Sequence, residues 1–182
     1  MSTKRIIDFC ISFLALIFIF WIVTFIFILA LFDTQSNGFF TQKRVGQFGK
    51  PFTIFKIKTM HPKTRTISSF GKFLRRTKLD ELPQLFNIIK GDMSFVGPRP
   101  DIPGYYDVLE GENRKILELK PGLTSEASIK YRDEETLLQS VFNPKQYNDE
   151  IIFPDKVKMN LNYYYNHNLL IDLKIILKTI FL

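Results

Sequence analysis

Two adjacent carboxylates, Asp80 and Glu81, follow a stretch of the sequence that is rich in cations. Arg75, Arg76 and Lys78 come directly before them. Carboxylates beside cations suit phosphate chemistry, because a carboxylate can hold a divalent metal or act as a nucleophile while the cations neutralise the phosphate. The alternative is that the pair only starts a helix, since acidic residues stabilise a helix N-terminus.

Further cations in the sequence are candidates for the same chemistry. Arg99 stands between Pro98 and Pro100. The prolines restrict the backbone on both sides, which favours a fixed guanidinium for bidentate phosphate contact. Lys56 and Lys58 share one face of a predicted strand and either reach a phosphate or are simply solvated.

Composition narrows the class of partner. The chain of 182 residues has a formal net charge of +7, which favours anionic partners such as nucleic acid, lipid headgroups or phosphorylated small molecules. Cys10, His61 and His167 are too few for a disulfide framework or a Cys/His zinc site. The sequence has no Gly-rich nucleotide loop, no HEXXH motif and no GxSxG motif.

The N-terminal region predicts a membrane helix. The run from Ile6 to Phe32 is almost wholly apolar and, at about 27 residues, exceeds the roughly 20 that a helix needs to cross a bilayer. Lys4 and Arg5 precede it and Lys43 and Arg44 follow it, so the positive-inside tendency favours both ends on the cytoplasmic side. A re-entrant helix satisfies this tendency, but the run has no Pro or Gly to bend it, so a plain spanning helix stays open.

The sequence after this helix predicts a small hairpin and several helices. Alternating residues predict strands over Phe39–Val45 and Phe52–Lys58, joined through a Gly-containing turn. Helices are predicted after a cap at Ser68 or Ser69, from Asp80 as N-cap to Gly91, over Glu112–Leu119, from Phe153 to about His167, and after a cap at Asn168. The expected fold is α+β: residues 1–38 form the membrane helix and boundary turn, and residues 39–182 form one mostly helical, membrane-associated domain.

Several long motifs occur in a fixed order along the chain. They are Lys56–Met60, Leu79–Asn87, Lys90–Pro100, Lys120–Thr124 and Asp172–Ile175. With these motifs, over nearly its whole length, the chain resembles the bacterial sugar transferases, and within them the small monotopic phosphoglycosyl transferases that load a phosphosugar onto polyprenyl phosphate.

The resemblance implies a reaction in two displacements. Asp80 would attack the β-phosphate of a UDP-sugar, release UMP and form a phosphosugar-aspartate. Polyprenyl (undecaprenyl) phosphate would then take the phosphosugar, which would initiate the assembly of a surface glycan or a glycoprotein glycan. Glu81 and Asp80 would hold Mg²⁺, and the phosphates would be bound by Lys56, Arg75, Arg99 and Arg132.

The resemblance also implies a place in the cell. The catalytic domain would lie on the cytoplasmic face of the bacterial inner membrane, in contact with membrane lipid and without a nucleic-acid partner. The sequence departs from the usual family pattern in three places: Phe20-Trp21 stands where a Ser-Pro bend is usual, Thr124–Ser128 replaces Thr-Gly followed by Ala-Gln, and Tyr131–Asp133 replaces Gly-Arg-Asn. The identity of the sugar and the oligomeric state therefore stay open.

Two other classes of protein fit parts of this sequence. A catalytically silent, membrane-anchored binding protein would keep the fold but would not turn over UDP-sugars. A membrane-tethered nucleic-acid binder would use the net charge of +7 and would show salt-dependent affinity, although no recognised nucleic-acid motif is present.

Overall fold

The computed structural model describes residues 3–181. Its strands are β1 (Phe39–Val45), β2 (Pro51–Ile57), β3 (Ser94–Val96) and β4 (Gly122–Thr124). Its α-helices are α1 (Thr3–Thr34), α2 (Ser69–Thr77), α3 (Gln84–Lys90), α4 (Glu126–Lys130), α5 (Glu134–Gln139), α6 (Pro144–Tyr147), α7 (Phe153–Asn166) and α8 (Leu169–Phe181). Short 3₁₀ segments cover Gln47–Gly49, Leu79–Glu81, Tyr106–Val108 and Gly111–Glu118, and a π turn covers Asn148–Ile152.

The predicted α+β class is confirmed, with helices predominating and β1 and β2 forming the antiparallel hairpin. A second two-stranded sheet was not predicted. In it β3 pairs with β4 in parallel, with Ser94 opposite Gly122 and Val96 opposite Thr124. The predicted polar helix over Glu112–Leu119 is a 3₁₀ segment, Gly111–Glu118.

The predicted helix caps at three positions are confirmed. The Ser68 hydroxyl accepts a hydrogen bond from the Gly71 N–H at the start of α2. Gly91 ends α3 with a left-handed backbone, at φ +96°. Asn168 accepts a hydrogen bond from the Ile171 N–H in the first turn of α8. These caps satisfy backbone groups that a helix end leaves without partners.

The chain forms two compact units, and both are discontinuous in sequence. Unit 1 consists of Met1–Arg44 with Phe52–Met93, and unit 2 consists of Val45–Pro51 with Ser94–Leu182. The expected division at residue 38, between a membrane helix and a catalytic domain, stays a prediction.

Unit 1 contains the apolar N-terminal helix. By length and composition α1 is long and apolar enough to cross a membrane. It continues as one helix through Phe20-Trp21, the position where the family's Ser-Pro bend is expected. Its C-terminal half contributes to a core with β2 and α2, formed by Ile26, Ala30, Ile57, Leu74, Phe70 and Leu79.

Unit 2 is held together by two apolar clusters and by a close backbone crossing. Val45, Tyr106, Ile116, Leu117 and Val157 form one cluster, and Val96, Tyr163 and Ile175 form the other. At the crossing, a Cβ on Gly97 would lie 2.2 Å from the Lys120 carbonyl oxygen, and a Cβ on Gly122 would lie 2.1 Å from the Gly97 nitrogen. Only glycine at both positions lets the β3 and β4 backbones come this close.

Candidate active site

A tight turn after α2 places the two carboxylates. Lys78 has a left-handed backbone (φ +58°, ψ +17°), which is unusual for a residue with a side chain, and it redirects the chain from α2 into the 3₁₀ turn Leu79–Glu81. Asp80 and Glu81 are both buried there, with only 7% and 6% of their surface exposed. The turn thus removes from water two groups that are normally charged at neutral pH.

The prediction that Asp80 is the N-cap of a helix is wrong. The helix begins later, at Gln84, with Pro83 in the N-cap position and without a side-chain cap. Pro83 has no N–H to donate to Leu79, so the preceding residues use i to i+3 bonds, including Leu82 N–H to the Leu79 carbonyl. The Asp80 carboxylate is therefore not committed to capping a helix.

Cations from three segments of unit 1 surround this turn. The Lys56 ammonium on β2 lies 2.8 Å from the Glu81 carboxylate, and both side chains are largely buried. Burial raises the pKa of Asp80, and the adjacent Glu81 raises it further, whereas Lys56, Lys78 and Arg75 act in the opposite direction. The site therefore holds Asp80 in an environment that disfavours its charged form.

One oxygen of Asp80 is left without a partner. Its Oδ1 is buried and accepts no hydrogen bond. Nearby, Arg75 is fixed by a hydrogen bond of 2.9 Å from its Nε to the hydroxyl of the buried Thr59. A buried carboxylate oxygen without a donor is costly, so such an atom usually has a ligand, an ion or a reaction to serve.

Comparison with known proteins assigns the chain to a family. The sequence profile of the bacterial sugar transferases matches residues 1–182, the whole chain. The chain belongs to the bacterial sugar transferase family. It is therefore a transferase.

Relatives of this transferase differ in length and in the activity that their names give. An uncharacterized sugar transferase, EpsL, of Bacillus subtilis is 30% identical over 99% of this chain and 86% of its own length. A putative undecaprenyl-phosphate N-acetylgalactosaminyl 1-phosphate transferase of the same species is 34% identical over 62% of this chain and 69% of its own length. A UDP-glucose:undecaprenyl-phosphate glucose-1-phosphate transferase of Escherichia coli is 30% identical over 98% of this chain but 39% of its own length.

The six predicted site residues of this transferase fall in both units. Unit 1 brings Lys56 and Arg75 to the two carboxylates. Arg99 belongs to unit 2, where it lines a small pocket whose other walls are largely apolar. Arg132 also belongs to unit 2 and is exposed between α4 and α5. The roles of all six stay predictions.

The carboxylate pair fits the expected Mg²⁺. Within residues 3–181 no cluster of three or more His, Cys, Asp or Glu side chains is present, so protein ligands would be limited to Asp80 and Glu81. Mg²⁺ is commonly bound through one or two carboxylates together with substrate phosphates and water. The unpartnered, buried Oδ1 of Asp80 is an oxygen of the required kind.

Sequence reasoning missed part of how this site is built. It did not assign Lys78 a left-handed backbone, because nothing in the local sequence demands one. It also missed Asn87, a fully buried residue whose side-chain oxygen accepts from the Phe55 N–H at 3.2 Å and whose amide donates to the Thr53 carbonyl at 2.7 Å. Two signals were available in the sequence: Asn87 is an amide inside an otherwise apolar helix stripe, and it is the last residue of the Leu79–Asn87 motif.

Proposed function

We propose that this transferase moves a phosphosugar from a UDP-sugar to polyprenyl phosphate, with UMP and polyprenyl-diphosphate-sugar as products. The observation that carries the proposal is the buried Asp80 carboxylate, which has an unpartnered oxygen and lies among three cations. Relatives named as undecaprenyl-phosphate sugar-phosphate transferases support the class of donor and acceptor. The reaction would initiate the assembly of a glycan on a lipid carrier.

The first displacement uses Asp80 as the nucleophile. A carboxylate oxygen forms a bond to the β-phosphorus of the UDP-sugar, and the bond from that phosphorus to the oxygen bridging the two phosphates breaks. UMP leaves with the bridging oxygen, and the phosphosugar stays on Asp80 as an acyl phosphate. Burial favours this attack, because a poorly solvated carboxylate gives up little hydration when it reacts.

The second displacement regenerates the site. An oxygen of polyprenyl phosphate attacks the same phosphorus, and the bond to Asp80 breaks, so the carboxylate is restored. Glu81 takes up a proton where the acceptor phosphate arrives protonated, and Lys56, at 2.8 Å, holds the Glu81 side chain in place. Lys56 and Arg75 neutralise negative charge on the phosphates, and we assign Arg99 and Arg132 the same task.

Asp80 and Glu81 would hold Mg²⁺ in this proposal. When bound, the ion supplies positive charge that offsets the phosphate oxygens. Thr59 serves the site indirectly, since its hydroxyl accepts a hydrogen bond from the Arg75 guanidinium and limits the directions in which that group points.

The contacts of α1 support a membrane topology in which both of its ends lie on one side. Near its start, Arg5 donates to the carbonyl of Ile89 in unit 1. Near its end, Ala30 packs with Leu74 of the same unit. Between residues 17 and 25 no side chain of α1 is buried. We infer that this middle part contacts the lipid and that unit 1 stays on the cytoplasmic face, where UDP-sugars are made.

The last helix supports a second contact with lipid. One face of α8 exposes large apolar side chains: Leu169, Leu170, Leu173, Leu177, Ile180 and Phe181. Lys174 and Lys178 flank this face and are exposed. Apolar side chains bordered by lysines suit the surface of an anionic membrane, so we propose that α8 lies in the plane of the interface.

The function is tested by measuring UMP release in detergent or nanodiscs from a panel of UDP-sugars, with and without polyprenyl phosphate. Without acceptor we expect about one UMP per protein, together with a protein adduct whose added mass is that of one phosphosugar. Asp80→Asn should form neither, whereas Glu110→Gln, the same kind of change at an exposed carboxylate outside the predicted site, should form both.

The alternatives make different predictions in the same assay. Release that survives Asp80→Asn would refute the nucleophile assignment. Binding of UDP-sugars without release from any member of the panel would indicate the silent binding protein. The donor that gives turnover with acceptor names the sugar.

A further inference from the structure

The start of the membrane helix reaches the end of the helix that follows the catalytic turn. The Arg5 guanidinium donates through Nη1 to the Ile88 carbonyl and through Nη2, at 2.6 Å, to the Ile89 carbonyl. Both carbonyls lie in the last turn of α3, at the negative end of the helix dipole, where few backbone donors remain; the Ile88 carbonyl also accepts from the Gly91 N–H. The planar fork of arginine serves two such carbonyls with one positive charge, and lysine has no equivalent geometry.

The other end of α3 follows directly from the carboxylates. Only Leu82 and Pro83 separate Glu81 from Gln84, the first residue of α3. The helix has seven residues and is therefore about 10 Å long. Backbone hydrogen bonds continue from α3 through Leu82, whose carbonyl accepts from the Leu85 N–H and whose own N–H donates into the catalytic turn. A shift at the C-terminal end of α3 is therefore transmitted to that turn.

A second set of hydrogen bonds connects α3 to β2, the strand that carries Lys56. The buried Asn87 side chain accepts from the Phe55 N–H and donates to the Thr53 carbonyl, so α3 and β2 are held in one register. Lys56, the next residue of β2, reaches Glu81 at 2.8 Å. Asn87 fixes the middle of α3, Lys56 fixes the turn that precedes the helix, and Arg5 fixes its end.

We infer that Arg5 is a positioning residue that sets the place of Asp80 and Glu81 by clamping the C-terminal end of α3. The inference rests on the proposed function, because it assigns Arg5 a part in that reaction. On this inference, the first residues of α1 help to position the active site as well as to anchor the protein in the membrane. Misplacement of a reacting group by about 1 Å can cost up to a hundredfold in rate, so a loose clamp should be visible in turnover.

A different account of Arg5 makes a contrasting prediction. If Arg5 served only as a positive charge at the membrane surface, lysine would replace it, and removal of the neighbouring Lys4 would have a similar effect. If Arg5 clamps α3, Arg5→Lys should lower kcat, although the variant keeps the positive charge at the same depth in the membrane. Lys4→Gln should then be the milder change.

The test compares Arg5→Lys, Arg5→Ala and Lys4→Gln in the full-length protein with Arg114→Lys as matched control. Arg114 is an exposed arginine that also donates to two backbone carbonyls, those of Asp107 and Leu109, in unit 2. UMP release gives kcat, and the KM of UDP-sugar and of polyprenyl phosphate. Hydrogen exchange of a peptide covering residues 82–92 reports the clamp without reference to activity.

For both Arg5 variants we expect kcat to fall at least about tenfold while both KM values stay within about twofold, with faster exchange in 82–92. Arg114→Lys should match the wild type in both measurements. Arg5→Lys with wild-type kcat and exchange would overturn the inference and leave the proposed function intact. A wild-type protein without Asp80-dependent release would instead refute the proposed function, and the inference would fall with it.

Discussion

Asp80→Asn should make the protein more stable while it abolishes transfer. In the folded protein the carboxylate is 7% exposed, and its buried Oδ1 accepts no hydrogen bond. Leaving a buried polar group unsatisfied costs about 1–3 kcal/mol, and more when the group is charged. Asparagine keeps the shape and removes the charge, so we expect a gain of about 1–2 kcal/mol at pH 7.5 without metal, or about 2–8 °C in Tm.

The pH dependence of this gain has a defined sign. Burial, followed by the neighbouring Glu81, raises the pKa of Asp80 above its ordinary value of 3.8, so the folded protein keeps this proton to a higher pH than the unfolded chain does. Below the ordinary value both states are protonated, and wild type and Asp80→Asn should be equally stable. The difference should open as the pH rises through 3.8 and be complete once it passes the raised pKa.

The assay is thermal unfolding in detergent with EDTA, at a series of pH values, with Asp133→Asn as control. Asp133 is exposed, so its substitution should leave the Tm unchanged. Added Mg²⁺ should stabilise the wild type and narrow its gap to Asp80→Asn, because the variant lacks one of the two carboxylates. An Asp80→Asn protein less stable than the wild type at pH 7.5 would refute the reasoning, since it would show that the carboxylate is a net stabilising group.

Three further changes test other parts of the structure. Lys78→Gly should stabilise the protein by about 1 kcal/mol in thermal unfolding, because glycine adopts the left-handed backbone without strain. The same variant should transfer more slowly, because it lacks one of the cations around Asp80. Arg99→Lys should raise the KM for UDP-sugar about tenfold or more, since lysine has no bidentate fork, and an unchanged KM would remove Arg99 from the phosphate site. Tyr131→Phe loses the hydrogen bond from its hydroxyl to Asp155 and should lower the stability by about 1 kcal/mol. In the wild type, burial and that hydrogen bond raise the pKa of Tyr131 from its ordinary value of 10.0 to about 12, so in an ultraviolet titration its phenolate should form at higher pH than that of an ordinary tyrosine.

Features set by local chemistry were predictable from the sequence. The strand Phe39–Val45 has the predicted bounds, because alternation and the flanking turns specify it. The caps at Ser68 and Asn168 are also where their side chains predict them. In each case a few neighbouring residues determine the outcome, without help from distant parts of the chain.

Features set by tertiary contacts were not predictable. The parallel pairing of β3 with β4 was not predicted. Each strand has only three residues, too few to show an alternating pattern, and the two strands are far apart in sequence. The predicted start of α3 is wrong, because an acidic pair favours a helix cap at Asp80, whereas Pro83 and the left-handed backbone of Lys78 shift the start of the helix to Gln84. At the site, the residue types indicated the chemistry, whereas the burial of Asp80 emerged only from the fold.

The backbone crossing at Gly97 and Gly122 determines where unit 2 should accept inserted sequence and where it should not. The two glycines close a loop, so residues 98–121 leave the sheet and return to nearly the same point. Within that loop, a Cβ on Gly104 or Gly111 would meet nothing within 4 Å. We therefore expect the protein to tolerate inserted sequence, or a new pair of chain termini, near Gly104 and Gly111. Any side chain at Gly97 or Gly122 should instead prevent β3 and β4 from pairing.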